Sequence, residues 1–326
     1  MRNHIEGWHR PLLVFAAAMG VLTLVSGVGL IVDDRVLVGS PIWHKPFKFS
    51  VSFVVYGLTL AWMYSLLTRG RRVGWWAGAV IVAASVTEMA VIVGQVVRGK
   101  RSHFNQETPF DSGLFAVMGA TIVVLWLATL LMAVVLWRQP LADRAAVWAI
   151  RTGSVVALAG LAIGFLMVQP TEAQLAGQIT DTVGAHSVGV PDGGPHLPVT
   201  GWAATGGDLR IAHFVGMHAL QVLPLLALAL TFAARRYGRA AVPAVRTRLV
   251  LVAAAGYAGL VALTTWQALR GQALTSPDGV TLAAAAGLAV AVAVGAALAL
   301  RGGSGARLEP GASASPAASA VEAAGR

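Results

Sequence analysis

About eight apolar runs of roughly 20 residues, each the length a helix needs to cross the hydrocarbon core of a bilayer, constrain this chain more than any motif does. They lie at Pro11–Val32, Phe49–Leu67, Val73–Val97, Ser112–Trp137, Ala145–Val168, Leu209–Ala234, Leu249–Leu269 and Val280–Leu300. Hydrophobic residues make up 56% of the sequence and charged residues 12%, so this much apolar surface does not fit inside one water-facing globule. The expected fold is all-α: a polytopic membrane bundle of about eight transmembrane helices over residues 1–301. The first run follows a short basic segment but exceeds the apolar core of a secretion signal, and it reads as a retained helix.

The basic residues set an orientation. Arg69, Arg71 and Arg72 fall between the second and third runs, Arg138 and Arg144 between the fourth and fifth, and Arg235, Arg236, Arg239, Arg246 and Arg248 between the sixth and seventh. All three loops share a side, which the positive-inside rule makes cytoplasmic, and both termini then lie in the cytoplasm at the cell membrane. A formal charge of +10 calls for anionic membrane lipid as its partner and needs no nucleic acid. The absence of cysteine rules out disulfides and thiolate-held metals, leaving histidine, carboxylate and methionine as ligands.

Residues 170–208 form the one long connection, extracytoplasmic on this parity and dense in turn residues such as Pro191-Asp-Gly-Gly-Pro195. With His186, His196 and Trp202 embedded in it, the expectation is an ordered cap over the helix ends. Residues 302–326 have the composition of a disordered cytoplasmic tail. Gly160-x-x-x-Gly164 and Gly74-x-x-x-Gly78 read as close helix contacts.

Six of the eight histidines fall on the outer side. They are accompanied there by Lys45, Lys48, Arg98, Lys100 and Arg101, cations that defy the positive-inside tendency and point to an anion, such as a phospholipid head group, a lipid-linked pyrophosphate or a haem propionate. Pairing with Asp33, Asp34, Glu107 and Asp111 is the plain alternative. Asp111 and Asp208 open helices and read first as N-caps, and Pro46 suits the first turn of the second helix. Glu88 shares a face with Ser85 and Gln95 within about 60 degrees, a stripe that belongs inside the bundle. His213 and His218 are separated by about 140 degrees around a helix, so they serve different neighbours. Counting inward puts His218 and Glu88 at a similar depth of about 15 Å, with Gln221 one turn below and a kink expected at Pro224.

The segments His44-Lys-Pro-Phe-Lys-Phe49, Ser102-His-Phe-Asn105, Thr108-Pro-Phe-Asp111 and His213-Phe-Val-Gly-Met-His218 resemble a family of bacterial multi-pass membrane proteins with no assigned activity. That resemblance covers most of the span region and implies no activity. Eight spans are also similar in number to haem A synthases and the membrane domain of copper-resistance proteins, although only the sixth run here carries intramembrane histidines.

Three functions compete. The first is a membrane redox protein or enzyme holding haem or a histidine-ligated metal ion, with His44, His103, His213 and His218 as metal ligands. In it Glu88 and His218 are the catalytic pair, and Lys45, Lys48, Arg98, Arg101 and Gln221 bind the cofactor or an anionic, lipid-like substrate. The second is a proton-coupled transporter or channel through Glu88, His218 and Gln221. The third is a metal-free enzyme on lipid-linked phosphates, with a histidine as general base.

Overall fold

The computed structural model describes residues 7–238 and 241–301, so the expected tail at 302–326 lies outside the described residues. The fold is an all-α bundle with two very short antiparallel hairpins. Its helices are α1 (Arg10–Val32), α2 (His44–Ser65), α3 (Arg71–Arg98), α4 (Pro109–Trp137), α5 (Arg144–Ala162), the short α6 (Gly164–Met167) and α7 (Glu172–Leu175), α8 (Leu209–Met217), α9 (Ala219–Ala233), α10 (Pro243–Leu269) and α11 (Gly279–Arg301). Among the described residues seven helical stretches are long and apolar enough to cross a membrane, and the count rises to eight if α8 and α9, which are bent by 43° and pass the same test together, are one span.

The helices fall into two halves. α1 packs along α2, and α3 along α4, while α5, α8, α9 and α10 form the second group with α11 against α10. Contacts of α4 with α5 and of α2 with α9 join them. Glycines set the closest crossings: a Cβ on Gly216 of α8 would lie 2.5 Å from the Cα of Gly160 on α5, and a Cβ on Gly259 of α10 would lie 2.6 Å from Leu288 of α11. Small residues of this kind let helices approach where lipid offers no hydrophobic drive between them. Within the first half, and reaching Ile150 of α5, Leu60, Met63, Ile81, Leu125 and Met132 form a buried apolar core.

The helix ends show how the sequence stops and starts each span. His9 caps α1, its Nδ1 accepting from the Leu12 N–H and its Nε2 donating to the Trp75 carbonyl on α3 at 2.9 Å. Asp208 caps α8 as expected, accepting from the Arg210 N–H. Asp111 does not cap α4. Thr108 does, and Asp111 sits three residues on, accepting from the Thr108 hydroxyl (2.7 Å), Gln95 (2.9 Å) and Arg98 (2.7 Å). The kink expected at Pro224 is also displaced: Pro224 lies within α9, and the break between α8 and α9 falls at His218.

Residues 170–208 fold over one end of the bundle. α7 opens this cap, the strands β3 (Ser187–Val188) and β4 (Gly207–Asp208) pair antiparallel, and bridges join Asn105 to Thr182 and His196 to Ala203. Backbone bonds from Val183 to Phe104 and from Ala185 to Met167 fix it to its neighbours. A second hairpin, β1 (Val36–Leu37) with β2 (Ser40–Pro41), abuts it where Gly39 meets Gly193. The arginines between α2 and α3 and between α4 and α5 lie at the opposite end of the bundle.

Candidate functional site

The cap and the helix ends beneath it enclose a cavity of about 1270 Å³. The first turn of α2 brings His44, Lys45, Lys48 and Phe49 to it, and the end of α3 brings Ile92 and Val96. The segment after α3 contributes Arg101 and His103, and the cap contributes His186, Asp192 and His196. Arg210 and Leu209 enter from the start of α8. The lining is therefore apolar toward the bundle and cationic and imidazole-rich toward the cap.

Lys45 is the cation left over. Arg101 pairs with Asp181 at 2.8 Å, Lys100 with Glu107 at 2.5 Å and Arg98 with Asp111 at 2.7 Å, whereas Lys45 makes no hydrogen bond among the described residues. Its ammonium lies 5.7 Å from the centre of the Phe49 ring and within electrostatic reach of Glu88 and Asp192. Glu88 is buried in α3, and neither of its oxygens has a hydrogen-bond partner. Its nearest titratable neighbour is His103, whose Nε2 stands 3.5 Å from Glu88 Oε1. An orphaned carboxyl inside an apolar wall is costly, and a side chain kept there at that cost is a candidate for function.

His103 is ringed by Phe49, Phe104 and Phe115. Burial, with Lys45, His186 and His213 nearby, pulls its affinity for a proton well below the ordinary histidine value. Phe104 is wedged between His103 and His186, in the left-handed region at φ 62°. His186 Nδ1 donates to Asp192 Oδ2 at 2.9 Å, and the same carboxylate accepts the backbone N–H groups of His186 and Ser187. Burial lowers the His186 pKa; Asp192, which burial pushes up, is held below the carboxylate range by its bonds from His186 and Ser187. With Nδ1 committed, His186 offers Nε2 as a lone pair, the arrangement of a carboxylate-oriented base or metal ligand. His213 likewise commits Nδ1 to the Gly160 carbonyl at 2.8 Å.

At the rim, one turn of the cap is gripped from below. His44 Nε2 donates to the Val199 carbonyl at 2.5 Å, Lys48 Nζ to Thr200 at 2.7 Å and Arg210 to Gly201 at 2.7 Å. Arg210 is itself held by Asp208.

The residues expected from sequence thus divide. Lys45, Lys48, Arg101, His44 and His103 line the cavity, with Glu88 behind His103. Arg98 and Gln221 do not line it: Arg98 belongs to the Asp111 network, and Gln221 takes His218 Nδ1 as partner at 3.3 Å. The expected contact of Glu88 with His218 is replaced by Glu88 with His103, because α3 packs on α1, α2 and α4 while α8 packs on α5 and α10. His44, His103, His213 and His218 do not converge, and no group of three or more histidine, aspartate or glutamate side chains among the described residues is placed to hold a metal ion. Asp192, which reads as turn chemistry in the sequence, and Arg210 also belong to the lining; the signal available was a carboxylate inside the one long connection and a cation just past its end. The chain matches no known family model, no curated protein and no solved structure.

Proposed function

We propose that this multi-pass membrane protein takes an anionic amphiphile, with lipid-linked phosphate as the leading class, into its cavity from the extracytoplasmic side and acts on it by histidine acid–base chemistry. Lys45 carries the reading: an ammonium at a cavity wall with no hydrogen-bond partner is a place for an anion. The apolar lining from Phe49, Ile92, Val96 and Leu166 suits an acyl or isoprenoid chain beside it. His186, oriented by Asp192, is the base; its Nε2 takes a proton from a water or substrate hydroxyl, and the carboxylate stabilises the resulting imidazolium. His103 with Glu88 is a second proton-holding pair within reach of Lys45.

A second reading, haem or a histidine-ligated metal ion in a redox protein, draws on the committed Nδ1 atoms of His186 and His213, which leave Nε2 free for ligation. Here the cations would face propionates. A proton-coupled pathway has less support, because beyond Ser85 the path meets Leu60, Ile81 and Met132, with the Tyr56–Thr129 hydroxyl pair its principal polar relief.

The test is direct. Protein purified in a mild detergent is analysed by absorption spectroscopy, elemental analysis and mass spectrometry of extracted lipid. Anionic lipid retained by the native protein and lost in Lys45→Met supports the first reading; a Soret band or stoichiometric metal supports the second and overturns the first.

A further inference from the structure

The turn 199–201 presents three consecutive carbonyls, each to a different donor: His44 to Val199, Lys48 to Thr200 and Arg210 to Gly201. Three side chains from two helices converging on one short stretch of backbone is a grip that folding alone did not require, since the hairpin is already closed by Gly201 N to Leu197 O and Leu197 N to Trp202 O. The stretch is also strained. Val199 is β-branched, stands at φ 65° and is 86% exposed, a combination that costs free energy and gains no burial. The Thr200 hydroxyl is buried there without a partner.

We infer that His44, Lys48 and Arg210 form a head-group site for a phosphate-bearing anion, which the carbonyls of residues 199–201 occupy while the cap is closed. The inference rests on the cavity taking an anionic amphiphile. A carbonyl carries a partial charge and one strong bond apiece, whereas a phosphate offers several acceptor oxygens with full charge, and charge-assisted bonds are about twice as strong. Lys48 has one donor engaged of its three, so it can hold both partners during exchange. Phosphate arriving at these donors releases the turn, and the strain at Val199 favours that release. The head group at the rim and the chain toward Ile92 and Val96 then place the amphiphile past Lys45.

Hydrogen–deuterium exchange of the peptide covering 196–203 tests this on the full chain in neutral maltoside micelles. Adding phosphatidylglycerol is expected to speed exchange by about tenfold or more, the change for losing a charge-assisted hydrogen bond. Lys48→Met and His44→Gln are expected to exchange fast already and to respond no further. Acceleration by phosphatidylglycerol alone identifies a lipid head group; acceleration by inorganic phosphate as well identifies phosphate free of lipid, and either supports the site. Sodium chloride at equal ionic strength producing the same acceleration overturns it, as does an unchanged rate. Lys45→Met separates the two proposals: loss of bound lipid in that variant beside an unresponsive turn in the native protein overturns the head-group site and leaves the cavity reading standing.

Discussion

Gly160 on α5 and Gly216 on α8 meet backbone to backbone, and at that crossing the Gly160 carbonyl accepts a hydrogen bond from His213 Nδ1 at 2.8 Å. Packing and site geometry are therefore one contact. Gly216→Ala and Gly160→Ala force the helices apart, at an expected cost of about 1–3 kcal/mol for overpacking. The melting temperature of each variant in detergent checks this. Gly94→Ala, with open space around its Cβ position, is the control and melts as the native protein does.

Lys45→Met is expected to remove bound anionic lipid while leaving the fold in place, since the ammonium makes no hydrogen bond. Arg98→Gln tests the contrast. Arg98 holds Asp111 and stacks over Phe110, so its loss lowers stability and spares lipid retention. Quantitative lipid extraction from matched amounts of folded protein measures both; equal retention by Lys45→Met and native protein counts against the cavity reading.

The arrangement of these cations shows how far a sequence reaches. Apolar run length, helix ends such as Asp208 and the order of residues 170–208 were legible because each depends on near neighbours in the chain. The partner of Glu88 was not. Counting residues inward gives Glu88 and His218 a similar expected depth, but such a count says nothing of which helices are adjacent. That adjacency follows from glycine contacts such as Gly160 with Gly216, which draw α8 to α5 and away from α3. The bend at His218 escaped as well: Pro224 was the local signal, yet it lies inside α9 and the break falls nearer the start of the span.

Acid should loosen the cap. Burial holds His103 and His186 below the ordinary histidine value of 6.5, so each is neutral in the fold and takes up a proton more readily when unfolded. Their contribution is complete above about pH 6.5 and falls as pH drops below it toward the folded values. Asp192, whose pKa is lowered as well, keeps its contribution down to its unfolded value of 3.8 and loses it as pH falls below that. Melting curves at about pH 8 and about pH 5.5 are expected to differ, with the lower pH less stable. A His103→Gln, His186→Gln double variant narrows the gap, and a gap of unchanged size assigns it to other groups.

His9, at the end of the bundle away from the cavity, is expected to matter for stability alone. Both ring nitrogens are used, one to cap α1 and one to reach the Trp75 carbonyl, and a Cβ on Gly78 would lie 2.8 Å from its Nε2. His9→Ala removes a cap and an interhelical bond, a loss of about 1–3 kcal/mol. His9→Asn restores the cap without the reach to Trp75 and recovers part of it. Lipid retention per folded molecule is the same in all three proteins.

The broken span bears on how the chain is made. α8 has nine residues and α9 fifteen, lengths of roughly 14 and 22 Å that each fall short of a bilayer about 30 Å thick. Only Leu209 to Ala233 taken together has the length and apolarity of a span. The contacts that hold the bend come from both sides of it in the sequence: Gly160 for His213, and the Tyr257 hydroxyl, which donates to the Val215 carbonyl at 2.7 Å. Tyr257 lies on α10 and leaves the ribosome after α8 and α9 have been delivered. A chain lacking α10 would keep the His213 contact with Gly160 and lose the Tyr257 bond to Val215, leaving the bend held from one side.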